Sequence, residues 1–273
     1  MLLLTGAILA GAPLNRAATA TAETAPAATC PGPGTTSPTL ATPEAIAALE
    51  RCLARLPQTS DLYRVNGIYT PERQALHSRI LATATTGLAC VSGRPPIAVL
   101  TGGPPGAGKT TWLRRHAPML LRPTTLRVDA DELRMQLPDY QGWNAAITQV
   151  EVGDLVDQLL SGVGSPCPTD LIYDGTMSSS RRYLSLIPRL RSLGYRVFLV
   201  SVLVPESVSQ SQVLKRYLSS GRYVPGNAIK QFYRSAPSVF RTIAPLADGY
   251  LQVNGLNGSV LRTGGAPLPL LDP

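Results

Sequence analysis

Gly103-Pro104-Pro105-Gly106-Ala107-Gly108-Lys109-Thr110 fits the spacing G-x-x-x-x-G-K-[ST]. Glycines at these positions let consecutive backbone amides turn inward around phosphate oxygens. Lys109 brings a cation to the β- and γ-phosphates of a nucleotide, and the Thr110 hydroxyl is the kind of oxygen donor that Mg²⁺ takes. Thr111 follows directly and completes the stretch expected to contact ATP.

Three further groups carry chemistry. Val128-Asp129-Ala130-Asp131-Glu132-Leu133-Arg134 sets two carboxylates at the end of an apolar run. One of them can take a proton from a hydroxyl, and the other can cap the following helix. If the strand continues, alternation points Asp129 and Asp131 to the same side. Leu171-Ile172-Tyr173-Asp174-Gly175-Thr176 ends a second apolar run on an acid, which suits Mg²⁺ ligation by Asp174 directly or through water. Lys215-Arg216-Tyr217 and Gly221-Arg222-Tyr223-Val224-Pro225 place two arginines around a Ser-Ser-Gly break. A helix that stops at Gly221 frees Arg222 to fold back, so both guanidiniums are expected to meet a transferring phosphate when this segment closes as a lid.

The elements that must position these groups are legible from periodicity. Pro96–Gly102 is a short continuous apolar run, as in a buried parallel strand, and leads directly into the glycine-rich loop. Further strands are expected at 126–129, 170–174, 195–204 and 250–253. Helices are expected after Thr42 and Thr70, over 143–160, 180–193, 205–218 and 227–243. Alternating strands and helices predict an α/β fold of the P-loop NTPase type. This is a doubly wound, mostly parallel five-stranded sheet with flanking helices. The expected organisation is a leader over 1–40, an N-terminal helical extension over 41–92, a kinase-type domain over 93–255 and an irregular tail over 256–273.

The 273 residues carry a net charge of +8, and Lys109, Lys215 and Lys230 are the only lysines. Positive charge is thus mostly arginine, which favours forked contacts to phosphate. No CxxC or HExxH spacing occurs, which excludes the usual zinc sites. No block of five like charges marks a polybasic tail. Aromatics at 5% do not supply the stacking platforms of a nucleic-acid binder, so no nucleic-acid partner is expected. Met1–Gly11 is apolar but far shorter than the ~20 residues that span a bilayer. The Ala/Thr-rich stretch after it fits a cleaved secretory signal, a disordered leader or a transit peptide. The cleaved signal, and with it export rather than a cytoplasmic location, is expected. In an oxidising compartment Cys30, Cys52, Cys90 and Cys167 can form two bridges, and Cys52–Cys90 is the expected pair.

The ordered set YTPERQALH, GGPPGAGKTT, VDADELR, YDGT, GYRVFLVSVLVP, KRY and GRYVP resembles the zeta toxin family, from about Tyr69 to Val253. That resemblance implies a P-loop kinase that phosphorylates UDP-N-acetylglucosamine with ATP and Mg²⁺, and an antitoxin as a possible partner. It makes Lys109 and Thr110 the phosphate lysine and metal ligand, and Asp131 the general base toward the sugar hydroxyl. Arg216 and Arg222 become the clamp on the ATP phosphates, and Asp174 and Thr176 the acidic-Gly-Thr turn. Arg134 joins Asp131 on the acceptor side. The substrate glutamate of the family is not uniquely placed: Glu151 and Asp154 lie three apart on one helical face, and either can serve. The arginine that usually follows the turn is displaced by Met177-Ser178-Ser179-Ser180, leaving Arg181 or Arg182 to substitute. Another nucleotide-type acceptor (NAD, a nucleoside, a polynucleotide end) and a non-catalytic NTP-binding role are the alternatives.

Overall fold

The computed structural model describes residues 42–269. The leader and Cys30 lie outside the described residues. Thr42 caps α1 (Pro43–Leu53), its hydroxyl accepting from the Ala45 amide. A short α2 (Thr59–Tyr63) leads into a two-stranded hairpin, β1 (Arg64–Val65) and β2 (Ile68–Tyr69). Asn66 and Gly67 turn it with positive φ at both residues, the geometry that matches hairpin twist. Thr70 then caps α3 (Pro71–Thr85), with Pro71 at the first helical position.

The central sheet is built from β3 (Ile97–Gly102), β4 (Leu126–Asp129), β5 (Leu171–Asp174), β6 (Arg196–Leu203), β7 (Gly249–Asn254) and β8 (Val260–Gly265). Their order is β4-β5-β3-β6-β7-β8, and all neighbours pair in parallel except β7 with β8. The connecting helices are α4 (Lys109–His116), α5 (Ala130–Arg134), α6 (Gln149–Gly162), α7 (Ser180–Ser192), α8 (Glu206–Ser220) and α9 (Gly226–Ile243). The chain runs from β3 toward β4 first and returns to the other side with β6. That reversal makes the carboxyl end of β3 the switch point where ligands bind in such sheets.

Alternation along β3 divides the core in two. Ala98 and Leu100 face a cluster formed with α3, α5, α6, α7 and α9. Ile97 and Val99 face Trp112 and Leu113 of α4, with Leu268 of the C-terminal segment closing the same layer. The third apolar cluster lies apart from the sheet, where Leu49 and Leu53 of α1 meet Tyr223.

Several expectations need correction. The sheet has six strands, because Val260–Gly265 adds an antiparallel edge to β7 where an irregular tail was expected. Gly and Thr in this stretch hide it from periodicity, but a hairpin-connected edge strand needs little burial of its own. Residues 143–148 are not part of the long helix: a 3₁₀ turn at Ala145–Thr148 precedes α6. The Cys52–Cys90 pair does not form. Cys90 is bonded to Cys167, Cys52 is disulfide-bonded elsewhere, and no described cysteine is free. The loops at 89–91 and 167–168 meet at the amino edge of the sheet, where the Val91 amide donates to the Pro168 carbonyl at 2.8 Å. Flanking a common helical region was a poor guide to that meeting. No described helix is long and apolar enough to cross a membrane.

Candidate phosphoryl-transfer site

The glycine-rich loop sits between β3 and α4, as its spacing requires. Gly103 has φ +141°, and a Cβ there would lie 2.2 Å from the Val202 carbonyl of β6. Only glycine fits this close approach. Gly108 stands in the left-handed region as the N-cap of α4 and offers no side-chain cap, leaving the first amides of that helix available to an anion. The loop is held from behind by α8, where the buried Ser209 hydroxyl donates to the Pro105 carbonyl at 2.7 Å. From the other side Gly255 packs so tightly that a Cβ would fall 2.6 Å from the Ala107 carbonyl.

Lys109 is half-buried and its Nζ donates to the Gly103 carbonyl at 3.3 Å. Desolvation lowers its pKa, while Asp174 and Asp129 pull it up and Arg216 and Arg222 push it down. Those four opposing charges identify the company around the ammonium. Lys109, Asp129 and Asp174 stand at the carboxyl end of the sheet, and Arg222 reaches Asp131 beside them. Strand register explains the acids: Asp129 pairs with Asp174 across β4–β5, and Asp174 with Thr101 across β5–β3. The Thr101 hydroxyl donates to Asp174 Oδ1 at 2.7 Å.

Asp129 and Asp131 divide their roles. The strand ends at Asp129, so the expected same-side alternation does not apply. Asp129 is instead the N-cap of α5, accepting from the Asp131 amide at 2.8 Å and from Arg127. Asp131 occupies the first turn of α5, where its carboxylate receives Arg134 on Oδ1 and Arg222 on Oδ2. Arg134 is 4% exposed and also donates to Thr148 and Gln149, which fixes its fork. Burial lowers its pKa. Burial acts the same way on Arg222, with Asp129 opposing it.

Helix α8 ends at Ser220 with Gly221 in the left-handed conformation, so the expected stop is present. Arg222 then turns back onto Asp131. Arg216 lies half-buried one turn before that stop.

Of the two acids expected on the acceptor side, Asp154 remains a third exposed and is held by Arg64 and the Tyr69 hydroxyl. Glu151 is wholly buried. Arg73 grips it through Nε at 2.5 Å and Nη2 at 2.8 Å, and His77 Nε2 lies 2.6 Å away. Burial raises the Glu151 pKa, but hydrogen bonds from His77, Arg73 and Thr59 outweigh it and bring it to about 2. Arg73 extends the network to Asp139 at 2.7 Å, which also accepts from Tyr63. In this conformation Glu151 presents no free oxygen to a substrate and instead anchors α3 to α6. Sequence reasoning missed Arg73 as that anchor; its only signal was a base at a helix position that favours an acid.

Beside Asp174, Tyr173 and Thr176 open into a cavity of about 500 Å³ that also has Asp157, Ser178, Arg181 and Arg182 on its walls. Arg182 is oriented by Asp157 at 2.9 Å and by the Tyr173 hydroxyl at 3.1 Å. Thr176 and Ser178 share a hydrogen bond at 2.8 Å.

The zeta toxin family model matches residues 81–254. This chain belongs to the zeta toxin family. Solved structures agree on the fold. The PezAT toxin–antitoxin system of Streptococcus pneumoniae aligns with a TM-score of 0.56 at 23% identity, over 72% of this chain and 82% of that one. The AvrRxo1-ORF1:ORF2 complex aligns at 0.60 and 18% identity over 75% and 79%, and the same complex solved with ATP at 0.60 and 18% over 76% and 80%. No protein of curated function matches the sequence. The zeta toxin match covers the phosphate loop, both carboxylate strands and the two arginines, and leaves α1 through most of α3 outside it.

Proposed function

We propose that this protein transfers the γ-phosphate of ATP to a hydroxyl of a UDP-amino sugar, UDP-N-acetylglucosamine first among them. The observation that carries this reading is the pairing of Asp129 with Asp174 at the strand ends beside the loop that carries Lys109, with Asp131 held on Arg222. The acceptor oxygen attacks the γ-phosphorus in line. As that bond forms, the bond to the β,γ-bridging oxygen breaks, ADP leaves, and Asp131 takes the hydroxyl proton. Lys109, Arg216 and Arg222 hold the charge that spreads over the transferring group. Asp131 cannot act while tied to Arg222, so ATP has a second role: its phosphates draw Arg222 away and expose the base.

The residues fit Mg²⁺. Among the described residues no cluster of three or more acids, histidines or cysteines forms a protein cage. Thr110 with the aligned pair Asp129 and Asp174 instead offers a few oxygens and leaves room for phosphate and water, which is how Mg²⁺ is usually held. Thr110 and Asp174 would hold the ion, which neutralises phosphate charge when bound.

The cavity flanked by Arg181 and Arg182 supports a diphosphate-bearing acceptor. Thr176 and Ser178 supply hydroxyls for a sugar. Two arginines on one cavity wall suit the diphosphate of a dinucleotide equally well, so an NAD-type acceptor is the second reading. An antitoxin partner is proposed by analogy with the PezAT toxin–antitoxin system. Export is proposed on the Cys90–Cys167 bridge and the bonded Cys52; thiol titration of protein taken from each cell fraction tests it.

The experiment for the activity is incubation with ATP, Mg²⁺ and a panel of UDP-sugars, NAD and nucleosides, with products read by mass. A phosphorylated UDP-amino sugar is expected. Product on NAD alone transfers the assignment to the second reading, and no product on any acceptor removes the kinase.

A further inference from the structure

Arg222 sits in a loop that is fastened at several points. On one side, a Cβ on Gly142 would stand 3.0 Å from the Gly221 carbonyl, and the Tyr223 amide donates to the Gly142 carbonyl at 3.3 Å. On the other side stands α1. Leu49, 1% exposed, and Leu53 pack on Tyr223, itself 4% exposed, with Tyr217 and Trp143 at the margin. Glu50 of the same helix accepts two hydrogen bonds on Oε1, from the Tyr223 hydroxyl at 2.5 Å and from the Gly226 amide at 3.1 Å. Gly226 is the first residue of α9, whose N-cap Pro225 offers no capping side chain. Glu50 thus caps α9 from a different helix, with its charge at the favourable end of the dipole.

These contacts bracket Arg222. The residue after it is pinned by hydroxyl, amide and ring, and the loop ends on an amide that Glu50 satisfies. Helix α1 also lies before the residues that match the family model, so this fastening is an addition to the matched domain.

We infer that Glu50 is a positioning residue for Arg222: through Tyr223 and Gly226 it sets where the arginine loop stands when phosphate is in the cleft. This inference rests on the kinase reading for its catalytic consequence, but its structural content does not need turnover. With the brace intact, the loop pivots about Gly221 while its far end stays fixed. Arg222 then moves between two defined partners, Asp131 and phosphate. Without it, the far end is released and Arg222 samples many positions.

Two measurements on the full chain test this. The first is native-state trypsin cleavage after Arg222, followed by mass spectrometry. Glu50→Ala is expected to raise the rate about tenfold, in line with the loss of hydrogen bonds to a charged group, while Glu50→Gln, which keeps an acceptor oxygen, stays near wild type. Equal rates in wild type and Glu50→Ala would overturn the brace whether or not the protein is a kinase. The second is a double-mutant cycle on kcat. Glu50→Ala should lower kcat about tenfold in the wild-type background and leave it unchanged in an Arg222→Ala background, because the effect passes through that arginine. The same loss in both backgrounds would show a merely structural helix. Absence of product from the wild type would defeat the kinase reading alone, since the cleavage rate still reports on the brace.

Discussion

The phosphate loop places its ligating groups with consecutive residues, Gly103 to Thr110, and mostly with main chain. The arginine loop is held by Glu50, which lies 173 residues from its partner Tyr223, together with Gly142 and Asp131. One half of the cleft is local and made of backbone, and the other is assembled from distant side chains. Local backbone sites announce themselves in sequence because glycine is needed wherever φ or close contact demands it. Sites built from distant side chains announce themselves only once the fold exists. The contrast also predicts how each half fails: the first by losing chemistry, the second by losing position.

The sharpest break of that contrast is Lys109→Ala. The side chain is half-buried within the loop, where its ammonium donates to the Gly103 carbonyl. Transfer is expected to vanish while the thermal transition stays near wild type. Turnover at the wild-type rate would remove the phosphate-loop assignment. Asp131→Asn comes next, with kcat lowered by roughly 10²–10⁴ and the KM for ATP little changed. If Asp129→Asn is crippling and Asp131→Asn silent, the carboxylates exchange roles, and the helix-capping contact made by Asp129 must be reinterpreted.

The buried anchor at Glu151 tests the positional half. Its pKa falls from 4.5 to about 2 in the folded chain, so its ionised form stabilises the fold. A depressed carboxylate contributes fully above its unfolded pKa, and that contribution drains away as pH falls from about 4 toward 2. The shift corresponds to about 3 kcal/mol. Glu151→Gln should therefore lower stability at neutral pH by about that amount and flatten the acid limb of unfolding between those values. Denaturant titrations across pH 2–7 measure it. An unchanged acid limb would mean that the Arg73–Glu151–His77 set is not the acid-sensitive element.

The smallest effect is expected at the arginines. Arg216→Lys and Arg222→Lys keep the charge and lose the fork, so kcat should fall about tenfold at each with KM nearly constant. Near-normal values in both variants would leave two solvated surface charges and no clamp.

Much of this fold was legible for physical reasons that can be named. Ile97–Leu100 is apolar at every position because both faces of β3 are covered, and Thr42 and Thr70 cap the helices their types predict. The phosphate loop, Asp174 and the stop at Gly221 stand where spacing put them. Other features were hidden. Glu50 reads in sequence as one more charge on an amphipathic helix, and Arg73 as a misfit in a capping box. Their partners arrive from Tyr223 and from Glu151, and neither pairing leaves a local trace. The strand at Val260–Gly265 was hidden by its exposed, glycine-containing composition, and the Cys90–Cys167 bond by the sequence separation of 77 between its ends.

That bond has a topological consequence. It closes the stretch from Cys90 to Cys167 into a covalent ring that contains the phosphate loop, Asp131 and Glu151, and leaves Arg216 and Arg222 outside that ring. Cross-linking a loop of this length removes on the order of 4–5 kcal/mol of chain entropy from the unfolded state in the simplest model. The unfolded molecule is then no longer a thread but a thread with an eyelet. A conduit wide enough for one strand admits the thread and stops the eyelet, so the bond between Cys90 and Cys167 has to be reduced before this chain can be passed end-first through a narrow pore.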